Sequence, residues 1–428
     1  MTDTYLVDAV VIDGTGTDPV EGAWVRLTDG IITGRGAGAP SRSGSATTID
    51  CAGRTVMPGL IDAHTHMAAV DYLDRLLDSP RPMFAARVLA EIESTVDHGY
   101  TTVRDAGYTD AGFKQAIREG LVRGPRLLVS NGPLSQTGGH SDLRRAHARD
   151  AVPTTDGLVW PGVVVDGVDQ ARWGAREVLR AGADQVKVMA SGGCASHGDD
   201  VTEPQFTPDE LAAIVYEARA RGKFVIAHAY NPAAIANAVA AGVRSIEHGN
   251  LLDEEAAARM ARAGCFLVPT IPTFQLLSLE GTSMGMTREQ VDQVDTVLKS
   301  AYTSIEIAVA AGVRVGSGSD VLARHQTRKA LALELQARVL GNLGALRAAT
   351  AVNAELIGRG ADLGQVAEGF VGDLLIVDGN PADDIAVLQD RSRIHAVLQH
   401  GAFTVDRRPE SPVPPLSTTK EYNTDGPQ

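Results

Sequence analysis

Cysteine is scarce in this chain, with three in 428 residues. Cys51, Cys194 and Cys265 show no paired spacing, so they build no disulfide framework and a reducing compartment is expected. Cationic excess is missing too. The formal net charge is −14, which argues against binding nucleic acid or an anionic membrane surface. No run approaches the ~20 apolar residues that a membrane-spanning helix needs. The opening Met1-Thr2-Asp3-Thr4 lacks the basic start and apolar core of a secretion signal. These absences point to a cytoplasmic protein with a small-molecule substrate, expected as a homo-oligomer. Hydrophobic residues make up 44% of the chain, and its length suits a large barrel with a small accessory module.

What is present is concentrated in one stretch, Pro58-Gly59-Leu60-Ile61-Asp62-Ala63-His64-Thr65-His66. An apolar run ends in two histidines at i and i+2. On a strand that spacing puts both imidazoles on one face, where they can share a metal ion. Pairs of this kind also arise by chance on solvated faces, so the reading depends on the rest of the chain.

The rest alternates short apolar runs with helical segments. Residues 101–105, 126–130, 185–189, 224–228, 245–248, 266–269 and 313–317 read as strands, making eight with the run before His64. Between them lie Ala-, Glu- and Arg-rich segments such as 208–221 and 232–241. Gly182, Gly222, Gly242, Gly264 and Gly312 follow such segments as C-caps would. Eightfold strand–helix alternation predicts an α/β fold of the (β/α)8 TIM-barrel type. An open doubly wound sheet explains the alternation equally well, but not why polar residues fall at the ends of so many strands.

Those residues are His64 and His66 after strand one, Lys187 inside strand four, His228 and His248 ending strands five and six, and Asp320 after strand eight. In a barrel these ends converge on one face. Each has an ordinary reading by itself: Lys187 as a salt-bridged lysine, His228 and His248 as hydrogen-bonded core histidines, Asp320 as a helix N-cap. Six at matching strand ends point instead to a metal site.

These pieces resemble the amidohydrolase superfamily, in the branch with a carboxylated lysine and two metals. The likeness is especially strong for imidazolonepropionase-related dipeptidases and amidases, which include Xaa-Pro dipeptidases and ochratoxin-hydrolysing amidase. Besides the run 57–66, it is carried by Gly99-Tyr100-Thr101-Thr102-Val103-Arg104-Asp105-Ala106-Gly107, Thr137-Gly138-Gly139-His140, Val186-Lys187-Val188-Met189-Ala190-Ser191-Gly192-Gly193, Ala227-His228-Ala229-Tyr230, Ile246-Glu247-His248-Gly249-Asn250 and Gly316-Ser317-Gly318-Ser319-Asp320. It implies that Lys187 becomes N6-carboxylysine, whose two oxygens bridge two cations. His64, His66 and Asp320 would hold the first metal, and His228 and His248 the second. Nitrogen and oxygen donors of this kind suit zinc, with cobalt, manganese or nickel as alternatives. A metal-bridging hydroxide would attack a carbonyl, with Asp320 taking its proton and passing it to the leaving nitrogen.

Tyr230 lies two places past His228, so its phenol faces the same way if the strand persists. It can donate to a developing oxyanion, or simply pack at the barrel rim. His140 ends a Gly-Gly turn, and the resemblance places it toward the substrate. Gly192, Gly193 and Cys194 begin a loop whose N–H groups can meet a substrate carboxylate; a tight strand exit is the other reading. Cys194 and His197 depart from the aliphatic residue and proline usual in the relatives, which bears on the substrate and not on the metal centre. Arg104 and Asp105 read as a structural ion pair, and Asp62 as an acceptor that orients its neighbours. His98, His147, His325, His395 and His400 read as ordinary.

Residues 1–57 and 358–408 are expected to build a small β-sandwich from both termini, residues 58–357 the hydrolase barrel, and 409–428 a mobile tail. The function implied is hydrolysis of an amide C–N bond, in a dipeptide or N-acyl amino acid. A urea, carbamate or cyclic amide is the alternative substrate. Deaminases and imidazolonepropionase itself typically use one metal and lack the lysine. A non-catalytic scaffold is the remaining class, and the intact ligand set argues against it.

Overall fold

The first five strands are β1 (Asp3–Val11), β2 (Val20–Thr28), β3 (Ile31–Ala37), β4 (Thr47–Asp50) and β5 (Thr55–Pro58). Along β2 burial alternates, with Ala23, Val25 and Leu27 turned inward, as one-sided packing requires. The computed structural model describes residues 3–41, 46–71, 79–144, 147, 158–194, 196 and 198–408. The 409–428 tail and His197 therefore lie outside the described residues.

Nine further strands follow: β6 (Leu60–Thr65), β7 (Tyr100–Asp105), β8 (Arg126–Leu128), β9 (Leu134–Ser135), β10 (Val163–Val164), β11 (Val186–Met189), β12 (Val225–Ala229), β13 (Ser245–His248) and β14 (Phe266–Val268). The last three are β15 (Leu374–Val377), β16 (Ile394–Gln399) and β17 (Ala402–Asp406).

Strands from the two termini join in one sheet, ordered β17-β16-β15-β5-β1-β2-β3, with β4 also on β1. Leu6, Val25, Leu27, Ile32, Val56, Leu374, Ile376 and Leu398 fill a single core within it. The N-terminal strands therefore depend on the C-terminal ones to bury their apolar face.

The middle of the chain is parallel and alternates with helices, a mixed α/β arrangement. β6-β7-β8 form one sheet and β10-β9-β11-β12-β13-β14 another. Backbone hydrogen bonds link their borders. Asp184 N–H donates to Val129 O at 2.7 Å, and Ala63 N–H to Ser317 O at 2.9 Å. The expected eighth strand is reduced to a single parallel bridge between Leu267 and Val315, extended by the Ser317 contact to β6.

Local chemistry sets the helices between. Pro208–Ala220 opens on a capping box, with Thr207 and Glu210 satisfying each other's backbone N–H groups. Pro232–Ala241 opens on Asn231, which accepts from Ala234 N–H, and closes on Gly242 at φ +93°. All five glycines expected as helix stops have positive φ, a conformation that costs a residue with a Cβ. Among the described residues no helix is long and apolar enough to cross a membrane.

Candidate metal centre and active site

Each candidate histidine turns one nitrogen outward to a fixed acceptor. His64 Nδ1 meets Glu247 Oε2 at 2.6 Å, His66 Nδ1 meets Gly107 O at 3.1 Å, and His228 Nε2 meets Gly192 O at 3.2 Å. A carbonyl or carboxylate only accepts, so these three nitrogens carry the proton; in neutral His64 and His228 the opposite nitrogen keeps its lone pair, while His66 Nε2 faces Asp320. His248 Nδ1 lies 2.6 Å from Thr270 Oγ1. The rings then crowd together, with centroids 5.3 Å apart for His64 and His66, 5.0 Å for His64 and His248, and 4.5 Å for His228 and His248.

His64, His66 and Asp320 each place a ligand atom within 4.8 Å of the others. Asp320 Oδ1 is 3.2 Å from His66 Nε2 and 3.7 Å from His64 Nε2. His64 Nε2 is buried without a hydrogen-bond partner. A buried lone pair with nothing to accept costs free energy, and a cation removes that cost. The donor set therefore fits a divalent metal.

Charge follows the same geometry. Burial holds His64, His228 and His248 well below the usual imidazole range, so they stay neutral. Burial also pushes His66 down, but the hydrogen bond and charge of Asp320 outweigh it and the net direction is up. For Asp320 burial pushes up, while His64, His66 and Lys187 outweigh it and lower the carboxyl. Burial brings Lys187 down to about 8, against the pull of Glu247 and Asp320. The charge of Lys187 pushes His64, His66, His228 and His248 down and lowers the Asp320 carboxyl. Two of the group have left-handed backbone, His248 at φ +74° and Asp320 at φ +53°. Such strain persists where the surroundings over-determine a residue.

Tyr230 reaches the cluster although β12 ends one residue earlier. Its ring is 4.8 Å from His228 and 5.2 Å from His248, and its hydroxyl is 3.5 Å from Cys194 Sγ. Phe274, on the helix Ile271–Glu280, closes the apolar side against Tyr230 and His248. His140 stacks on His228 with centroids 4.3 Å apart. A Cβ at position 193 would meet His140 Nδ1 at 1.9 Å, so only glycine admits the imidazole there.

Two expectations are corrected. Arg104 does not pair with Asp105. Its guanidinium donates to both oxygens of Glu247 at 2.8 and 2.9 Å and to Ser245 Oγ at 3.0 Å. Asp105 instead accepts from Met67 N–H, Gly107 N–H and Thr109 Oγ1. Nor are the N–H groups of Gly192 and Gly193 free for a carboxylate. They donate to Glu203 O at 3.0 Å and Asp199 Oδ2 at 3.2 Å. Gly192 contributes its carbonyl, which orients His228.

Asp62 accepts from His64 N–H and from Ser319 N–H and Oγ, tying the two ligand-bearing strand ends together. His98, His325 and His400 spend a ring nitrogen on Ser94 O, Glu280 and Gly30 O respectively.

Glu247, Tyr108 and Phe274 belong to the site and were not singled out from sequence. Tyr108 lies 5.4 Å from the His66 ring. Glu247 had a signal, an acidic residue within a short strand-like run that ends on a candidate ligand, and the strand is buried throughout. It links Arg104 to His64, with both side chains of the Arg104–Glu247 pair fully buried. Glu247→Gln should leave the guanidinium without its counter-charge, lowering stability by about 3–5 kcal/mol and metal affinity by roughly 10–100-fold. Chemical denaturation and chelator competition measure the two effects. Unchanged values would show that the pair supports neither the core nor His64.

Paired imidazoles, a buried lysine and a carboxylate at successive strand ends define a metal-dependent hydrolase, and the chain belongs to the Amidohydrolase family, which it matches over residues 55–403. Members generally use divalent metals, and this protein is a metal-dependent amide hydrolase. It is 31% identical to an ochratoxinase from Aspergillus niger over 415 residues, covering 93% of this chain and 86% of that protein. Among solved structures it resembles a prolidase complexed with N-methylphosphonate-L-proline, at 41% identity and TM-score 0.89, over 95% of this chain and 100% of the other. It also resembles a Xaa-Pro dipeptidase with bound methionine in the active site, at 27% identity and TM-score 0.83, over 94% and 99% of the two chains.

Proposed function

We propose that this protein hydrolyses the amide C–N bond of a dipeptide or N-acyl amino acid at a two-metal centre. The observation that carries the reading is the buried, unpartnered Nε2 of His64 beside His66 and Asp320. In this reading His64, His66 and Asp320 hold one metal, His228 and His248 the other, and carboxylated Lys187 lies between them. Nitrogen and oxygen donors suit zinc, and cobalt, manganese or nickel can take the same places. When bound, the metals supply Lewis acidity that polarises the amide carbonyl and acidifies water.

The chain's own residues do the rest. Asp320, whose carboxyl is held in its charged form, accepts the proton of the attacking water and returns it to the leaving nitrogen. Tyr230 donates its phenol to the carbonyl oxygen as charge develops there. Burial keeps that phenol protonated, by raising it well above its usual range. His140 faces the substrate, and Cys194 lies against the Tyr230 hydroxyl.

The reading includes closure of the two parallel sheets into a (β/α)8 barrel over residues 58–357. The contacts at Val129–Asp184 and Ala63–Ser317 support it, as does the prolidase similarity over 95% of the chain. Residues 1–57 and 358–408 form the accessory β-sandwich, supported by their common core. A cytoplasmic setting is supported by three buried, unpaired cysteines. A homo-oligomer is supported by exposed Trp173 and Tyr216 on the packed helices Gly167–Arg180 and Pro208–Ala220. The net charge of −14 leaves no basis for a nucleic-acid partner.

The test is metal analysis of the purified protein, followed by a library of dipeptides, N-acyl amino acids, ureas and carbamates. Turnover of the first two classes by metal-loaded protein is expected. Turnover confined to ureas or carbamates would replace the substrate assignment. Tyr230→Phe removes one hydroxyl at nearly constant volume. It should lower kcat roughly a hundredfold with little change in KM, because that hydrogen bond strengthens in the transition state. Wild-type kinetics in steady-state assays would return Tyr230 to a packing role.

A further inference from the structure

We propose that Gln326 is a positioning residue for the first metal: its amide, oriented by Lys329, bonds the turn that leaves His66 to the segment that leaves Asp320 and keeps the two ligands at one spacing. The proposal rests on the reading above, in which His64, His66 and Asp320 hold one metal.

His64 and His66 follow each other along one strand end, so the backbone fixes their relation. Asp320 comes from a segment distant in sequence, with left-handed backbone at Asp320 and again at Ala323, φ +49°. A carboxylate so placed needs other contacts to fix its distance from the histidines. Hydrogen bonds between the two segments supply them. Asp320 N–H donates to His64 O at 2.8 Å, and Ala323 N–H to Ala69 O at 2.8 Å. A side chain adds another, as Gln326 Nε2 donates to His66 O at 2.8 Å. His66 O also accepts from Ala69 N–H at 3.0 Å, which closes the turn 66–69. Gln326 thus holds the carbonyl of a ligand, and it does so from the short helix Ala323–Arg328 just past Asp320.

An amide makes this bond only with its nitrogen toward His66. Turned over, it would set oxygen against oxygen. Lys329 decides the orientation. Its Nζ lies 2.8 Å from Gln326 Oε1, 2.8 Å from Gln326 O and 2.6 Å from Glu91 Oε1, so an ammonium there spends all three protons. Lys329 is fully buried. Its counter-charge, Glu91, stands on the helix Arg81–Asp97, where Thr95 Oγ1 also donates to it at 3.1 Å. A buried ion pair is weak evidence for stability, because desolvation offsets the attraction. What this one fixes is direction. With its oxygen held by a cation, the Gln326 amide keeps its N–H on His66. Gln326, Lys329 and Glu91 therefore act on the metal site through His66.

The test uses the full-length protein loaded with limiting cobalt. Gln326→Glu keeps an oxygen for Lys329 but has no N–H for His66, and Gln326→Met keeps the volume and loses both. Anomalous diffraction gives the cobalt occupancy beside His64, His66 and Asp320 relative to that beside His228 and His248. Both variants should lower this ratio roughly tenfold, while circular dichroism shows the fold retained. A wild-type ratio in Gln326→Glu would mean that Gln326 only satisfies Lys329, and it overturns the clamp. Lys329→Met alone would leave Glu91 a buried charge without a partner, so the second probe combines it with Glu91→Gln. That neutral pair frees the amide to turn. Its ratio should fall as well, and adding Gln326→Met should cost nothing further. A wild-type ratio in the neutral pair, or an additive loss in the triple variant, overturns the role of Lys329. Wild-type protein with no ion beside His64, His66 and Asp320 overturns the metal reading and the clamp with it. An ion held there at the wild-type ratio in every variant overturns the clamp alone.

Discussion

Lys187→Ala is expected to abolish most activity and to release much of the bound metal. Lys187 sits in β11 between buried Val186 and Val188, and burial brings its amine down to about 8. In the proposed reading the neutral amine would add carbon dioxide, forming an N–C bond and releasing a proton, and the carbamate would supply two oxygens as metal donors. Alanine leaves four imidazoles and the single carboxylate of Asp320. If two dications are bound as proposed, one negative charge would then face both in a low-dielectric interior, where unbalanced charge is costly. Metal content by mass spectrometry should fall from about two ions per chain toward one or none. Circular dichroism should show the fold retained, since the change removes a side chain and leaves the strand pairing in place. Short carboxylates added to the assay should recover part of the rate. Full activity at unchanged metal content would contradict the two-metal reading.

Asp320→Asn separates metal binding from proton transfer. The amide keeps an oxygen where Asp320 Oδ1 lies 3.2 Å from His66 Nε2, so much of the metal should remain. What disappears is the carboxylate proposed to accept a proton and give it back. Turnover should fall roughly 10²–10⁴-fold, while binding of a non-hydrolysed substrate mimic changes little. Pre-steady-state kinetics should show no product burst, because proton transfer precedes loss of the leaving group. Turnover within a factor of a few of the wild type would assign the proton to another group.

Much of this site was legible because metal chemistry needs few residue types and strand ends bring them together. His64, His66, His228, His248 and Asp320 were visible as polar residues at strand ends and Lys187 as a lysine inside a strand; the structure brings the four histidines and Asp320 together and buries Lys187 in β11. The segments 208–221 and 232–241 were legible from local caps, and they correspond to Pro208–Ala220 and Pro232–Ala241. The partner of Arg104 was not. Adjacent residues in a strand face opposite sides, so Arg104 and Asp105 diverge, and Glu247 arrives from a strand distant in sequence. The N–H partners of Gly192 and Gly193 come from the return of the same loop at Asp199 and Glu203. No periodicity records that return. Phe274 likewise looks like any core aromatic until its helix is seen to lie across Tyr230.

The terminal sheet has a consequence for the order of assembly. β5 runs almost directly into β6, the strand that carries His64 and His66, and β5 is paired by β15 through Val56 and Ile376. Gly59, at the junction, donates its N–H to Asp373 O at 2.8 Å. The first two histidines leave the ribosome well before β15, the strand that clamps their anchor, is made. Long-range pairing of this kind is slow and cannot begin until the distant partner exists. The anchor of the histidine strand therefore waits for residues 374–377, and a polypeptide interrupted before them has β6 paired with β7 but β5 without β15.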